Sequence, residues 1–124
     1  MTVSVPVLAM HPQMQTLFPE SPARWNWIQP GENIDATIER YGSDVEILLS
    51  ASIEKLDKDM LSRFPRLRMI ASISAGFSNV DLDECRSRSI AVTNAPGLNS
   101  CDVADLAATF LTSLLLRLPQ SQSY

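Results

Sequence analysis

Residues 68–94 read RMIASISAGFSNVDLDECRSRSIAVTN and decide the fold class. Arg68–Ile73 and Ile90–Asn94 are short apolar runs of strand length, whereas Val80–Arg88 carries acidic residues at its start and favours a helix. The small-residue segment Ser74–Asn79 joins the first strand to the helix. Strands that alternate with helices are typical of an α/β domain built on a parallel sheet.

The same alternation continues toward the N-terminus. Three more strands are predicted at Val3–Ala9, Arg24–Gln29 and Val45–Leu49. The segments between them predict a short helix or turn at Pro12–Phe18 and helices at Ile34–Tyr41, which Gly42 ends, and Asp57–Phe64. We therefore expect an α/β fold with a flavodoxin-like parallel sheet of about five strands, although the pattern alone leaves the strand order open.

The last predicted helix begins at Asn99 or Ser100, either of which can cap it, and runs to about Leu118. The eleven residues between Asp105 and Arg117 carry no charge, and their large apolar side chains cover more than one face. A surface helix normally keeps a polar side. We expect either that a partner outside the chain, or a second copy, covers this helix, or that it is an ordinary core helix.

Composition and charge exclude several classes of protein. The 124 residues, of which 45% are hydrophobic and 19% charged, suffice for one packed domain. The net charge of −4 and the scattered basic residues argue against binding to nucleic acid. Residues 1–14 lack the pattern of a secretory signal, and no apolar run is long enough to span a membrane. These features predict a reduced, soluble, cytoplasmic protein.

The residues that usually carry chemistry are few and scattered. Cys85, Cys101 and the single histidine, His11, are too few and too far apart for a zinc site, so no metal is expected. We expect two buried, reduced thiols and a histidine in a solvated loop. The four glycines, at 31, 42, 76 and 97, cannot form a dinucleotide-binding fingerprint. The acidic groups near residues 57 and 81 are interpreted as helix caps, and no complete catalytic set is present.

Four segments together resemble a known family. In order and spacing they are similar to the N-terminal substrate-binding domain of the D-isomer-specific 2-hydroxyacid dehydrogenases, which include glyoxylate/hydroxypyruvate and hydroxyphenylpyruvate reductases. The segments are Pro65–Ile70, Ser74–Asp81, Val92–Gly97 and Asp102–Ala107. Residues 1–63 fit the layout of the family without a distinctive motif.

The resemblance implies a binding site. Ala75 and Gly76 would hold the carboxylate of a 2-oxo or 2-hydroxy acid through main-chain amides, and Ala51 would face the same cleft. Carboxyl ends of parallel strands are where open α/β sheets bind ligands. A tight turn without a ligand is the alternative. Ser100 and Val103 would border the nicotinamide of NAD or NADP, the alternative being a helix cap with a packing neighbour.

The resemblance also implies a division of the chain. Residues 1–100 would form an incomplete substrate-binding domain, and residues 101–124 an interdomain or dimerisation helix and the start of a nucleotide-binding domain. The glycine-rich fingerprint and the catalytic Arg, Glu and His of the family belong to that second domain, expected after Tyr124.

We therefore expect no catalytic residue in this chain, no binding of NAD or NADP by the chain alone, and no dehydrogenase activity alone. The expected partners are a small 2-oxo or 2-hydroxy acid and, through residues 102–118, a second copy or the nucleotide-binding domain. The alternatives are a non-enzymatic dimerising or regulatory module and one chain of a split dehydrogenase.

Overall fold

A computed structural model of the chain describes residues 6–10, 24–27, 33–51 and 53–118. The strands are β1 (Pro6–Ala9), β2 (Arg24–Trp27), β3 (Ile47–Ser50), β4 (Met69–Ser72) and β5 (Ala91–Thr93). All neighbouring strands pair in parallel, in the order β2-β1-β3-β4-β5. The expected α/β fold with a parallel sheet and flanking helices is confirmed.

The described helices are α1 (Ile34–Tyr41), α2 (Lys58–Ser62), α3 (Leu82–Ser87) and α4 (Ser100–Leu115). The first three begin at side-chain caps, in which Asn33, Asp57 and Asp81 accept hydrogen bonds from backbone N–H groups of the first turn. Such caps satisfy donors that have no partner within the helix. The interpretation of Asp57 and Asp81 as helix caps is confirmed.

Gly42 follows α1, as predicted. Glycine is not needed there for a left-handed backbone conformation, however. Its φ is −57°, which any residue can adopt. A Cβ at this position would lie 2.6 Å from the carbonyl oxygen of Ile38 and 2.9 Å from that of Arg63. The close approach of two backbone segments therefore requires glycine here.

The main core lies between the sheet and the first three helices. Phe64 is fully buried there and packs with apolar side chains of the central strands and of α1–α3, among them Leu8, Leu48, Leu61, Ile70 and Cys85. The Arg88 guanidinium joins two parts of this layer, because it donates to the carbonyl oxygens of Leu61 at 2.7 Å and Phe64 at 2.6 Å. The Arg88 bonds thus tie the end of α3 to the end of α2.

Helix α4 differs from the other three helices in having no buried residue. Its large apolar side chains point into solvent, with Phe110 60% and Leu115 74% exposed. No helix of the described residues is long and apolar enough to cross a membrane. The apolar surface of α4 is therefore available to a partner.

Two details at α4 correct the sequence analysis. Asn99 occupies the N-cap position but makes no side-chain cap bond, and Ser100 is already the first helical residue, so the predicted cap is wrong. Cys101 is exposed, whereas Cys85 is buried as expected. Cys101 lies on α4, which has no buried residue, and this explains the exposed thiol. The segment Pro12–Phe18 and His11 lie outside the described residues.

Candidate functional site

Three loops leave the sheet at its carboxyl edge, where parallel strands end side by side. We call them the β3 loop (residues 51–55, described except for 52), the β4 loop (residues 73–80) and the β5 loop (residues 94–99). The β4 loop contains Ala75 and Gly76 and lies between the other two, because β4 pairs with both β3 and β5.

The β4 loop is bonded to the β3 loop on both sides of Ala75 and Gly76. The Ser74 hydroxyl donates to the Ala51 carbonyl oxygen at 2.8 Å, and the Asn79 side-chain amide donates to the Glu54 carbonyl oxygen at 2.7 Å. The Asn79 carbonyl in turn accepts from the Leu56 N–H at 2.8 Å. These bonds bring Ala51 to the segment that carries Ala75 and Gly76, as the sequence analysis expected of loops at one strand edge.

The β5 loop holds the other side of the same segment through two carbonyl groups. The Ser74 carbonyl accepts from the Ala95 N–H at 3.0 Å, and the Ala75 carbonyl accepts from the Asn94 side-chain amide at 2.6 Å. The peptide bonds are trans, so each carbonyl points opposite to the N–H of its own peptide unit. The N–H groups of Ala75 and Gly76 therefore both point away from Asn94 and Ala95.

Two successive N–H groups on one side of a loop form a concavity suited to an anion. The Ala75 N–H has no hydrogen-bond partner within the described part of the chain. Both Ala75 and Gly76 are exposed. A carboxylate oxygen can reach this surface without displacing a buried side chain.

The described fold does not require glycine at position 76. A Cβ built on it meets no atom within 4 Å, and its φ lies outside the left-handed region that favours glycine. Packing and backbone conformation would therefore both accept alanine. A close approach by a ligand is a physical reason for glycine that remains.

The two residues expected near a cofactor lie on the first turn of α4. Ser100 and Val103 are exposed, and the Val103 N–H donates to the Asn99 carbonyl at 3.0 Å. The β5 loop connects this turn directly to the Ala75 carbonyl through Asn94. The start of α4 thus leaves the sheet from the same edge as the candidate anion site.

Side-chain charge contributes little at this edge of the sheet. The charged residues of the described loop positions are Glu54 and Lys55, and Lys55 pairs with Asp57 at 3.1 Å. The N–H of Met60 and the neighbouring Lys55 lower the pKa of the Asp57 carboxyl, which keeps the α2 cap ionised. We therefore consider the backbone N–H groups of the described loop positions as the main donors to an anion.

The thiol of Cys85 is unsuited to nucleophilic chemistry. Burial raises its pKa, and the nearby Asp81 raises it further, so little thiolate forms near neutral pH. Among the described residues, moreover, no group of three His, Cys, Asp or Glu side chains is arranged to hold a metal ion. Cys85 is part of the core of α3 and the sheet.

Sequence reasoning gave no role to Ser74 and Asn94, although both join loops at the site. Their signal was positional, because each polar side chain follows a strand directly or within two residues. Strand ends of a parallel sheet meet at one edge, so polar residues there can bond to the neighbouring loop. The choice of partner atoms depends on long-range geometry that local patterns do not contain.

Comparison with known proteins agrees with this geometry. The profile of the D-isomer specific 2-hydroxyacid dehydrogenase catalytic domain matches residues 7–115. The chain belongs to this family. It is 30% identical over 125 aligned positions to a glyoxylate/hydroxypyruvate reductase A of Arabidopsis thaliana, covering 98% of this chain and 39% of that protein.

Solved structures of dehydrogenases share the fold. A D-lactate dehydrogenase of Aquifex aeolicus, solved with NAD and lactic acid, superposes with a TM-score of 0.76 at 24% identity, covering 95% of this chain and 36% of that chain. An NADPH-dependent glyoxylate/hydroxypyruvate reductase of Sinorhizobium meliloti, solved with citrate, gives 0.72 at 25% identity, covering 94% and 37%. The chain thus spans between 36% and 39% of the length of these three proteins.

Proposed function

We propose that residues 1–100 are the substrate-binding domain of an NAD(P)-dependent D-2-hydroxyacid dehydrogenase. In the complete enzyme a 2-oxo acid would be reduced to a D-2-hydroxy acid between this domain and a nucleotide-binding domain. Residues 101–124 would contain the interdomain helix and the start of that second domain. The observation that carries the proposal is the pair of N–H groups at Ala75 and Gly76, oriented to one side at the carboxyl edge of the sheet.

Ala75 and Gly76 would bind the substrate carboxylate through these N–H groups, and Ala51 would line the same cleft. A hydrogen bond to a charged group contributes about 1.5–3 kcal/mol. Two such bonds, less the cost of immobilising the ligand, support dissociation constants on the order of millimolar. The chain alone should therefore bind a 2-oxo acid weakly.

We expect the residues of this chain to form no dinucleotide site. The glycine spacing excludes the phosphate-binding fingerprint, and the first turn of α4 offers only exposed surface at Ser100 and Val103. These two residues would border a nicotinamide that another domain holds. NAD or NADP supplies a hydride, but that transfer also needs a proton donor and a cation at the substrate carbonyl. We therefore expect no turnover by this chain alone.

Ligand-observed NMR of pyruvate in the presence of the chain tests the proposed carboxylate site. We expect millimolar binding of pyruvate, no binding of the neutral analogue pyruvamide, and loss of pyruvate binding in Ala75→Asp, which places a negative charge beside the N–H groups. Equal binding of pyruvate and pyruvamide would contradict the proposal, as would unchanged binding in Ala75→Asp. NADH oxidation with glyoxylate or hydroxypyruvate above the Ala75→Asp blank would contradict the expected inactivity.

The exposed apolar surface of α4 supports a protein partner. We propose that residues 102–118 pack against a second copy of the chain or against the nucleotide-binding domain. The same surface would serve a non-enzymatic dimerising or regulatory module, or one chain of a split dehydrogenase. Each large apolar side chain removed from water contributes about 1.5–3 kcal/mol, so several of them suffice for association.

Sedimentation of the wild type and of Leu111→Lys with Leu115→Lys tests this surface. Both leucines are exposed, 60% and 74%, so the substitutions should leave the fold intact. We expect the charged variant to be less associated and more soluble. An unchanged association state and solubility would contradict the role of α4 as an interface.

A further inference from the structure

Each of the three loops at the carboxyl edge carries an exposed large apolar side chain. Ile53 in the β3 loop is 72% exposed, Phe77 in the β4 loop 44% and Leu98 in the β5 loop 84%. Single apolar side chains on a protein surface are common and need no explanation. A pair of them beside backbone donors is different, because ligand sites combine apolar walls with a few polar groups that fix the orientation of the ligand.

Two hydrogen bonds hold the segments that carry Ile53 and Phe77 against each other. The backbone carbonyls two residues before and one residue after Ile53 accept, at 2.8 and 2.7 Å, from the side chains at positions 74 and 79. Positions 74 and 79 also lie on either side of Phe77 in the sequence. The two apolar residues therefore belong to loop segments that are joined at both ends, one segment in each loop.

The Ala75 N–H is directed toward the side of the β3 loop. The Ser74 carbonyl accepts from the Ala95 N–H of the β5 loop at 3.0 Å. The Ala75 N–H belongs to the same trans peptide unit and points opposite to that carbonyl. Because the β4 loop lies between the other two loops, a carboxylate bound to this N–H lies on the side of Ile53, whereas Leu98 belongs to the loop from which the N–H points away.

We propose that the substrate of the complete enzyme is a 2-oxo acid with an apolar side chain, and that Ile53 and Phe77 contact that side chain. The inference rests on the proposed function, because it takes the substrate carboxylate to be held at Ala75. The side chain of a 2-oxo acid begins at the carbon next to the carboxylate. A branched aliphatic or aromatic group there would displace water from both residues, whereas glyoxylate offers a hydrogen atom and hydroxypyruvate a hydroxymethyl group.

The polar side chains that join these loops favour the same class of substrate. The Ser74 hydroxyl and the Asn79 side-chain amide both donate to backbone carbonyls of the β3 loop. The Lys55 ammonium is paired with the Asp57 carboxylate at 3.1 Å. A substrate hydroxyl or a second carboxylate would compete for donors that already have partners. Apolar contact is therefore the interaction by which these loops can distinguish one 2-oxo acid from another.

The test compares the dissociation constants of pyruvate, hydroxypyruvate and 4-methyl-2-oxopentanoate for the full 124-residue chain, measured by ligand-observed NMR. The neutral 4-methyl-2-oxopentanamide carries the same branched side chain without the carboxylate. Ile53→Ser and Phe77→Ser each remove one apolar side chain without adding charge. Leu98→Ser is the matched control, because Leu98 is an exposed apolar residue of the β5 loop at the same edge. Thermal unfolding of each variant reports any general loss of structure.

We expect 4-methyl-2-oxopentanoate to bind about five- to twentyfold more tightly than pyruvate, since each fully buried methylene contributes about fourfold in affinity and these loops cover the ligand only in part. Hydroxypyruvate should bind about as pyruvate does, and the neutral amide should not bind. The ratio between the pyruvate and 4-methyl-2-oxopentanoate constants should fall to about two- to threefold in Ile53→Ser and in Phe77→Ser. Leu98→Ser should keep the wild-type ratio.

Equal dissociation constants for pyruvate and 4-methyl-2-oxopentanoate would overturn the inference while leaving the proposed carboxylate site intact. The same holds if hydroxypyruvate binds more tightly than the branched acid, if the ratio stays unchanged in both Ile53→Ser and Phe77→Ser, or if it falls as far in Leu98→Ser. Absence of binding by all three acids, or equal binding of the acid and its neutral amide, would overturn the proposed carboxylate site and the inference together.

Discussion

Gly42 at the end of α1 and Gly76 in the β4 loop show how differently two regions of this chain use the same residue. A Cβ at Gly42 would collide with two backbone carbonyl oxygens, whereas a Cβ at Gly76 would meet nothing. The first glycine is required by the packing of α1 against the segment after α2. The second has no such requirement in the described fold, and we propose that a bound ligand accounts for it.

The same contrast extends to larger side chains. Phe64 is fully buried between the helices and the sheet, but Phe110 in α4 is 60% exposed. Around α1–α3 the residues are explained by the contacts they make. At the carboxyl edge and along α4, contacts within the described fold do not explain the small or apolar residues, and we propose that a ligand or a partner does.

Replacing the two phenylalanines tests this division with the largest expected effect. Phe64→Ala should lower the free energy of unfolding by about 3–5 kcal/mol, because it removes a buried ring and leaves a cavity. Phe110→Ala should change it by less than about 0.5 kcal/mol, since the ring is mostly in water already. Urea unfolding followed by circular dichroism measures both, and equal losses would mean that α4 packs against the core.

Replacing the two glycines should give a smaller but more specific difference. Gly42→Ala should destabilise the chain by about 1–3 kcal/mol, because two carbonyl groups must move to admit the methyl group. Gly76→Ala should leave the free energy of unfolding unchanged or raise it by about 0.4–1 kcal/mol, because alanine reduces the conformational entropy of the unfolded chain. Its pyruvate affinity should nevertheless fall, as measured by NMR. Similar destabilisation in both variants would remove the argument that Gly76 serves a ligand.

The smallest expected effect concerns the pH dependence of the α2 cap. The pKa of Asp57 is lowered below 3.8, chiefly by the Met60 N–H and then by Lys55. The stabilisation from the ionised carboxylate is therefore fully present above the unfolded pKa and is lost as pH falls through the lower folded value. Asp57→Asn keeps an acceptor for Met60 without the charge.

Wild type should be more stable than Asp57→Asn above the unfolded pKa of the carboxyl, and the difference should shrink as pH falls through the lower folded pKa. Denaturant unfolding at several pH values measures this difference. Asp59→Asn removes the same charge from the same turn without touching the cap and is the control. A stability difference that is independent of pH in Asp57→Asn would contradict the role of the charge.

Much of the fold could be predicted because it depends on local pattern. The bounds of α1 agree with the prediction, and the observed strands lie within or one residue beyond the predicted runs. Residues 45 and 46 show the limit, since Val45 is buried but precedes the start of β3 at Ile47. A hydrophobic run predicts which residues are buried. The bounds of a strand depend instead on its hydrogen bonds to the neighbouring strands.

The candidate site could be predicted only in part. The motif around Ala75 and Gly76 was recognisable, and the edge of the sheet followed from the strand pattern. The bonds from Ser74 and Asn94 join residues 19 to 23 positions apart in the chain, and no local pattern specifies them. The misplaced cap at Asn99 has a related cause, because a suitable residue type does not guarantee the backbone angles that a cap needs.

The central claim is that an anionic substrate binds at the carboxyl edge of the sheet. A cavity of about 430 Å³ that contains a cation lies at the opposite edge, lined by Glu46, Ile47, Arg68, Met69, Ser89 and Ala91. Its cation is already paired, since the Arg68 guanidinium lies 3.3 Å from a Glu46 carboxylate oxygen. We therefore expect the anion at the backbone N–H groups of the β4 loop rather than at this cavity.

The most direct measurement is a map of pyruvate-induced amide shifts over the whole chain. We predict the largest shifts at Ala75 and Gly76, smaller shifts at Ala51, and none along α4. Largest shifts at Arg68 and Ser89 would place the anion at the wrong edge of the sheet and would contradict the account.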